Sequence, residues 1–182
     1  PEAVEAAITP RTKAILIVTP SNPTAGIVTE DRLRQIAEIA ERHNLIVISD
    51  EIYEKFMYDG WKHFSVASVP GMAERTITLN GFSKTFAMTG WRCGYVAAPT
   101  DFIDAMTRVK AHTTGPTATI SQWAGVAALT APESVTALAD FQRIYTERRA
   151  LVLRSLKEMG LDYSDPRGAF FAWTNSSSTG IH

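Results

Sequence analysis

Short apolar runs, each closed by polar or turn-forming residues, recur along the first half of the chain. Residues 14–18 read Ala-Ile-Leu-Ile-Val, and similar runs cover residues 45–48 and 76–79. The first run has the composition of a strand buried on both faces of a sheet. Residues 32–43, between the first two runs, carry apolar side chains at helical spacing. This order of strand, helix and strand predicts a βαβ unit in an α/β fold with a parallel sheet.

The second half of the chain is predicted to hold one more strand followed by helices. The strand-like residues 94–98 follow the third run too closely for a helical crossover, so this strand should be antiparallel to its neighbour. Helical patterns then cover residues 101–110 and, after a break at a Gly-Pro pair, continue through Ala128. Residues 133–159 contain neither proline nor glycine, which predicts a single long helix.

Composition and charge exclude several classes of protein. The 182 residues are 45% hydrophobic and 20% charged, as in globular domains. A formal net charge of −1 offers no basic surface for nucleic acid. No stretch approaches the roughly 20 apolar residues of a membrane span. The single cysteine, Cys93, excludes an internal disulfide and fits a reducing compartment, so we expect a cytoplasmic protein.

Lys84 is the residue whose surroundings most strongly indicate chemistry. It follows the third predicted strand within a run of small and apolar residues, and Arg92 follows eight positions later. An amine held in apolar surroundings can attack carbonyl groups, such as the aldehyde of pyridoxal phosphate. Asn22 and Asp50 also lie just past the ends of predicted strands. Ligands of open α/β sheets bind beyond the carboxyl ends of the strands, so these three side chains should converge.

Four short motifs, which include these residues, together resemble those of a known protein family. Residues 21–24 read Ser-Asn-Pro-Thr, 49–53 read Ser-Asp-Glu-Ile-Tyr, 80–84 read Asn-Gly-Phe-Ser-Lys, and 88–92 read Met-Thr-Gly-Trp-Arg. In order and spacing they resemble the class I/II aminotransferases, pyridoxal-phosphate enzymes of fold type I that are similar to aspartate aminotransferase. The resemblance covers nearly the whole chain. It implies a mostly parallel sheet sandwiched by helices, with a small α+β domain after it.

The resemblance also implies a domain organisation. Residues 1–135 would form part of the large cofactor-binding domain, 136–160 an interdomain helix, and 161–182 the beginning of the small C-terminal domain. Residues 168–173 would be the first strand of that small domain. Because members of the family are longer, we expect this sequence to be an internal fragment of a longer chain.

Each candidate residue acquires a role from the resemblance. Lys84 would hold pyridoxal 5'-phosphate as a Schiff base and then act as the base that moves the substrate proton. Asp50 would face the pyridine nitrogen and keep it protonated. Asn22 and Tyr53 would hydrogen-bond the ring hydroxyl oxygen. Arg92 would pair with the phosphate.

Ser83 would add a hydroxyl donor to the phosphate. The position three residues before Lys84, which is serine in some relatives, is Gly81 here. The chain departs from the family pattern at this position. No metal site is expected, because the histidines lack the spacing of metal ligands.

The function implied is that of an aminotransferase with an L-amino acid and a 2-oxo acid as substrates, and with a homodimeric full-length protein. Two alternatives stay open. One is another fold type I reaction, such as β-elimination or decarboxylation. The other is an aminotransferase-like sensor domain of a transcription regulator, which a winged helix upstream in the reading frame would support.

Overall fold

A four-stranded, mostly parallel sheet forms the centre of the fold. The computed structural model describes residues 1–180, so residues 181 and 182 of the predicted C-terminal unit lie outside the described residues. The strands are β1 (Ala14–Val18), β2 (Ile46–Asp50), β3 (Thr76–Gly81) and β4 (Gly94–Ala97), and they lie side by side in that order. Strands β1 to β3 are parallel and β4 is antiparallel to β3. The predicted α/β class and the antiparallel fourth strand are confirmed.

Helices occupy the connections and most of the second half of the chain. The described residues form six α-helices: α1 (Glu2–Ala7), α2 (Glu30–Arg42), α3 (Phe82–Thr85), α4 (Thr100–Thr113), α5 (Thr119–Thr130) and α6 (Glu133–Glu158). The predicted helices are confirmed with their bounds shifted by a few residues. Within the part of the chain that the structure describes, no helix is both long and apolar enough to cross a membrane.

The main core lies between helix α2 and one face of the sheet. Helix α2 is amphipathic, and its fully buried Leu33 packs with Ile17 of β1 and Val47 of β2. Val66 and Met72, from the connection between β2 and β3, complete this core. A core of this kind stabilises the sheet by removing apolar area from water. The carboxyl ends of the strands are thereby held on a rigid support.

Burial of β1 on both faces, as predicted from its composition, is wrong. Leu16 is 67% exposed, whereas its neighbour Ile17 is 6% exposed. Successive side chains of a strand point to opposite faces, and only the face of Ile17 is covered by the α2 core. Among the strands that the structure describes, β1 is also an edge strand. The other edge strand, β4, is exposed along its whole length.

The predicted strand at residues 168–173 is also wrong. The structure instead pairs β5 (Asp162–Tyr163) with β6 (Thr174–Asn175), and Gly168 makes an isolated bridge to Met57. Ala169 has a φ of 56°, a left-handed conformation that ends extended structure at this point. The aromatic residues that follow pack into a cluster with Tyr53 and Phe56 instead of continuing a strand.

The segment from Ser164 to Gly168 is tied to the loop that follows β1. The Ser164 hydroxyl donates to the Thr24 carbonyl at 2.9 Å, and the Gly168 N–H donates to the Ala25 carbonyl at 3.0 Å. A Cβ atom added to Gly168 would lie 2.6 Å from the Cβ and Cγ atoms of Pro20. Only glycine therefore allows this close approach of the two segments.

We predict that Gly168→Ala destabilises the protein by about 1–3 kcal/mol, because the added methyl group overlaps the rigid ring of Pro20. Thermal and urea unfolding of the purified variant measure the change. Gly26→Ala is the matched control, because its added Cβ would make an ordinary contact at 3.6 Å with the Thr24 hydroxyl. Equal free energies of unfolding for the two variants would show that the contact between Gly168 and Pro20 is not tight.

Candidate active site

The register of the parallel strands aligns three strand ends at one edge of the sheet. Val18 pairs with Asp50, and Asp50 pairs with Leu79. Asn22 follows the end of β1, Asp50 is the last residue of β2, and Lys84 lies in α3 directly after β3. Because all three strands run in the same direction, the segments that carry the three side chains leave the sheet at the same edge.

Arg92 reaches this edge from the opposite direction. Strand β4 is antiparallel and begins at Gly94, which pairs with Gly81 at the end of β3. Arg92 therefore stands just before β4, beside the segment that carries Lys84. Its backbone is left-handed, with a φ of 51°, and its Nη1 atom donates to the Thr89 carbonyl at 3.1 Å. The guanidinium is exposed.

Gly81 is packed so closely against β4 that a side chain here would require the neighbouring backbone to shift by a few tenths of an ångström. A Cβ atom at this position would lie 3.0 Å from the Gly94 Cα atom and 3.2 Å from the Cys93 carbonyl oxygen. Both contacts are with backbone, which cannot move aside as a side chain can. This packing gives a physical reason for glycine three residues before Lys84.

Asn22, Asp50 and Tyr53 are close enough to influence one another. Tyr53 is 4% exposed, and the side chain of Asn22 lies near enough to its hydroxyl to influence its pKa. Burial raises the pKa of Tyr53, the Asn22 side chain opposes the rise, and the negative charge of Asp50 adds to it. Tyr53 is therefore a neutral phenol at physiological pH and can donate a hydrogen bond. The peptide bond between Asn22 and Pro23 is cis.

Lys84 lies beside an aromatic ring from the C-terminal part of the chain. Its Nζ atom is 5.9 Å from the centre of the Phe170 ring. Lys84 and Ser83 line a cavity of about 320 Å³ together with Phe170, Tyr145 and Arg148. Among the described residues, Asp50, Asn22, Tyr53 and Arg92 are not walls of this cavity. Phe170 was not singled out from the sequence, although two adjacent phenylalanines follow a Pro-Arg-Gly-Ala turn there.

Glu51, the residue after Asp50, was also missed in the sequence. It is 3% exposed, and its carboxylate is surrounded by donors. Oε1 accepts hydrogen bonds from the hydroxyls of Ser49 at 2.8 Å and Ser65 at 2.7 Å. Oε2 lies 2.8 Å from Nε2 of His63. We call these four residues the Glu51 cluster.

The donors of the Glu51 cluster keep its carboxylate ionised. Burial acts to raise the pKa of Glu51, but the hydrogen bonds from His63, Ser65 and Ser49 outweigh it and lower the pKa overall. Ligand atoms of Glu51, Glu54 and His63 lie within 4.8 Å of one another. Both oxygens of Glu51 already face protein donors, so we interpret the cluster as a hydrogen-bond network. The expectation that the protein binds no metal stays a prediction.

Comparison with known proteins gives consistent matches over the chain. The family model for aminotransferase class I and II matches residues 1–179. An aromatic-amino-acid aminotransferase 2 of Thermococcus litoralis is 45% identical over 180 residues, which are 99% of this chain and 46% of the relative. An aspartate aminotransferase of Pyrococcus abyssi is 47% identical over 174 residues, which are 96% of this chain and 45% of the relative.

A solved structure has the same fold over the same stretch. The aromatic aminotransferase from Pyrococcus horikoshii OT3 superposes with a TM-score of 0.95 at 44% identity, covering 99% of this chain and 48% of that one. The chain thus spans about half the length of the relatives it matches. The similarity includes the whole sheet and the edge that carries Asp50 and Lys84.

We predict that the Glu51 cluster makes stability depend on pH. A carboxylate whose pKa is lowered on folding stabilises the protein above its unfolded pKa of about 4.3, and the contribution is lost as the pH falls through the folded value. Glu51→Gln should therefore lower stability at pH 7, by about 1–3 kcal/mol. The difference from the parent protein should shrink as the pH falls from about 5 toward 3.

Melting temperatures of the parent and Glu51→Gln proteins across this pH range test the prediction. Glu30→Gln is the control, because it removes a half-exposed carboxylate that pairs with Arg34 on the surface of α2. Surface pairs of this kind contribute roughly 0–1 kcal/mol. A difference between parent and Glu51→Gln that stays constant from pH 7 to pH 3 would contradict the prediction.

Proposed function

Since the chain belongs to the aminotransferase class I and II family, we propose that the complete protein is a pyridoxal-phosphate-dependent aminotransferase. It would move an amino group from an L-amino acid to a 2-oxo acid. The observation that carries the proposal is the shared sheet edge to which four separate segments bring Asn22, Asp50, Lys84 and Arg92. The aromatic-amino-acid and aspartate aminotransferases among its relatives favour amino transfer over elimination or decarboxylation.

The donor set at this edge fits the polar groups of pyridoxal phosphate. The cofactor has an aldehyde, a ring hydroxyl, a ring nitrogen and a phosphate. The edge offers a primary amine from Lys84, a phenol from Tyr53, a carboxylate from Asp50 and a guanidinium from Arg92. When bound, the cofactor would supply an electron sink that stabilises negative charge at the substrate Cα atom.

Lys84 would serve both binding and proton transfer. Its Nζ atom would hold the cofactor aldehyde and, once freed by the incoming substrate amine, would accept the Cα proton of the substrate. The Phe170 ring, 5.9 Å from Nζ, covers one side of this amine. A ring at that distance attracts the charged form of the amine through its π face. The side chain also borders a cavity of about 320 Å³.

Asp50 would hold a proton on the ring nitrogen. Opposite charges about 4 Å apart attract by roughly 4 kcal/mol at an effective dielectric constant of 20, which is enough to decide the protonation state of that nitrogen. A solvent-exposed pair contributes only about 0–1 kcal/mol. The half-buried position of Asp50 at the end of β2 is therefore important for this role.

The remaining polar residues would orient the ring from its two other sides. Asn22 and the neutral phenol of Tyr53 would hydrogen-bond the ring hydroxyl oxygen. Arg92 would pair with the phosphate in a bidentate geometry, for which the planar guanidinium is suited. Ser83, which is half-buried beside Lys84, would add a hydroxyl donor to the phosphate.

The larger organisation follows from the same proposal. Residues 1–135 would belong to the cofactor-binding domain, 136–160 to the interdomain helix, and 161–182 to the beginning of the small domain. The complete protein would act in the cytoplasm as a homodimer. The location and the dimer are proposed for the complete protein, because this chain spans about half the length of its relatives.

The reaction is tested with the complete protein, reconstituted with pyridoxal phosphate and offered a panel of L-amino acids. We predict that at least one donor changes the visible absorbance of the bound cofactor, and that adding a 2-oxo acid restores it with formation of a new amino acid. Release of ammonia or carbon dioxide without a new amino acid would contradict amino transfer. It would support elimination or decarboxylation instead.

We predict that Lys84→Ala loses covalently held cofactor, because it removes the amine that would bind the aldehyde. The readouts are the visible absorbance that survives dialysis and, after borohydride reduction, the mass of the peptide that contains residue 84. Lys62→Ala is the matched control, since Lys62 is exposed and distant in sequence from the strand ends. Survival of the absorbance in Lys84→Ala, or cofactor mass on another peptide of the parent protein, would refute the role of Lys84.

A further inference from the structure

Asp50 and Glu51 are adjacent carboxylates on opposite faces of the sheet. Side chains alternate along a strand, so Ser49 and Glu51 share one face while Asp50 lies on the other. Val47 shares the face of Ser49 and belongs to the α2 core. Glu51 is therefore buried on the inner face of the sheet end, while Asp50 is on the face away from that core.

The backbone between Asp50 and Glu51 is held on both sides by neighbouring strands. The Asp50 carbonyl accepts a hydrogen bond from the Thr19 N–H at 3.1 Å, and the Glu51 N–H donates to the Leu79 carbonyl at 2.9 Å. The Asp50 carboxylate also accepts a hydrogen bond from the Ile52 N–H at 3.1 Å. The direction of the Asp50 side chain thus depends on the backbone of the next two residues.

The side chain of Glu51 connects this backbone to the rest of the molecule. Of its three hydrogen-bond donors, Ser49 lies on the same strand, whereas His63 and Ser65 lie on the connection between β2 and β3. Hydrogen bonds to a buried charged group are stronger than those between neutral groups. A carboxylate held at both oxygens restrains the side chain of Glu51, and through it the peptide that follows Asp50.

We propose that Glu51 is a positioning residue that aims the Asp50 carboxylate at the ring nitrogen of the cofactor. The inference rests on the proposed function and extends it to a residue that makes no contact with the cofactor itself. Loss of the Glu51 cluster would let the end of β2 relax. The Asp50 carboxylate would then lie farther from the nitrogen, and its attraction would fall because Coulomb energy decreases with distance.

The protonation of the ring nitrogen gives a direct readout of this role. The complete protein is reconstituted with pyridoxal phosphate labelled with nitrogen-15 in the ring, and the resonance of that nitrogen is measured by NMR. Asp50→Asn defines the value reached without the carboxylate charge. We expect Glu51→Gln to move the resonance part of the way toward that value and to weaken cofactor binding by about tenfold, equivalent to about 1.4 kcal/mol.

Two further variants separate positioning from a simple loss of charge. Ser65→Ala removes one donor from Glu51 but no charge, and we expect a smaller shift of the resonance in the same direction. Glu30→Gln removes a surface carboxylate that pairs with Arg34 on α2 at 2.6 Å, and we expect it to leave the resonance unchanged. If Glu51→Gln does not fold, Ser65→Ala carries the test by itself.

The possible outcomes distinguish the inference from the proposed function. Shifts in Glu51→Gln and Ser65→Ala, with none in Glu30→Gln, would support positioning. A cofactor-bound protein in which Ser65→Ala keeps the parent resonance would overturn it, even if Glu51→Gln melts at a lower temperature. A parent protein that binds no cofactor would refute the proposed function, and this inference with it.

Discussion

The parallel register that aligns Val18, Asp50 and Leu79 is the constraint on which the candidate site depends. Residues far apart in sequence leave the sheet at one edge because three strands point in the same direction. The antiparallel β4 brings Arg92 back to that edge. A slip of one residue in β2 would turn Asp50 to the inner face and Glu51 to the outer face. The register therefore determines which carboxylate lies on the face of the sheet away from the α2 core.

Much of this arrangement could be predicted from the sequence because it depends on local patterns. Short apolar runs located the strands to within about two residues, since their length distinguishes them from helices. The short connection after Lys84 predicted the antiparallel β4, because a parallel strand needs a longer crossover. The long α6 followed from the absence of proline and glycine. Each of these features is decided by neighbours in the chain.

Features decided by distant neighbours could not be predicted in this way. The exposure of Leu16 depends on what packs against β1, which its own composition does not specify. The turn at Ala169 depends on a left-handed backbone that periodicity does not reveal. Glutamate is mostly exposed in proteins, so the burial of Glu51 was not expected. Its partners His63 and Ser65 lie in a connection whose sequence predicts only irregular structure.

The burial of Glu51 indicates that the end of β2 needs a fixed orientation. Taking a carboxylate out of water costs free energy, and well-packed apolar residues of similar volume often stabilise a protein as much or more. An apolar side chain at this position would fill the space but would tolerate small rotations of the backbone. Three directional hydrogen bonds to one carboxylate do not tolerate such rotations, because each bond weakens steeply when its angle changes. The cluster thus favours orientation over stability, on the opposite face of the strand end that bears Asp50.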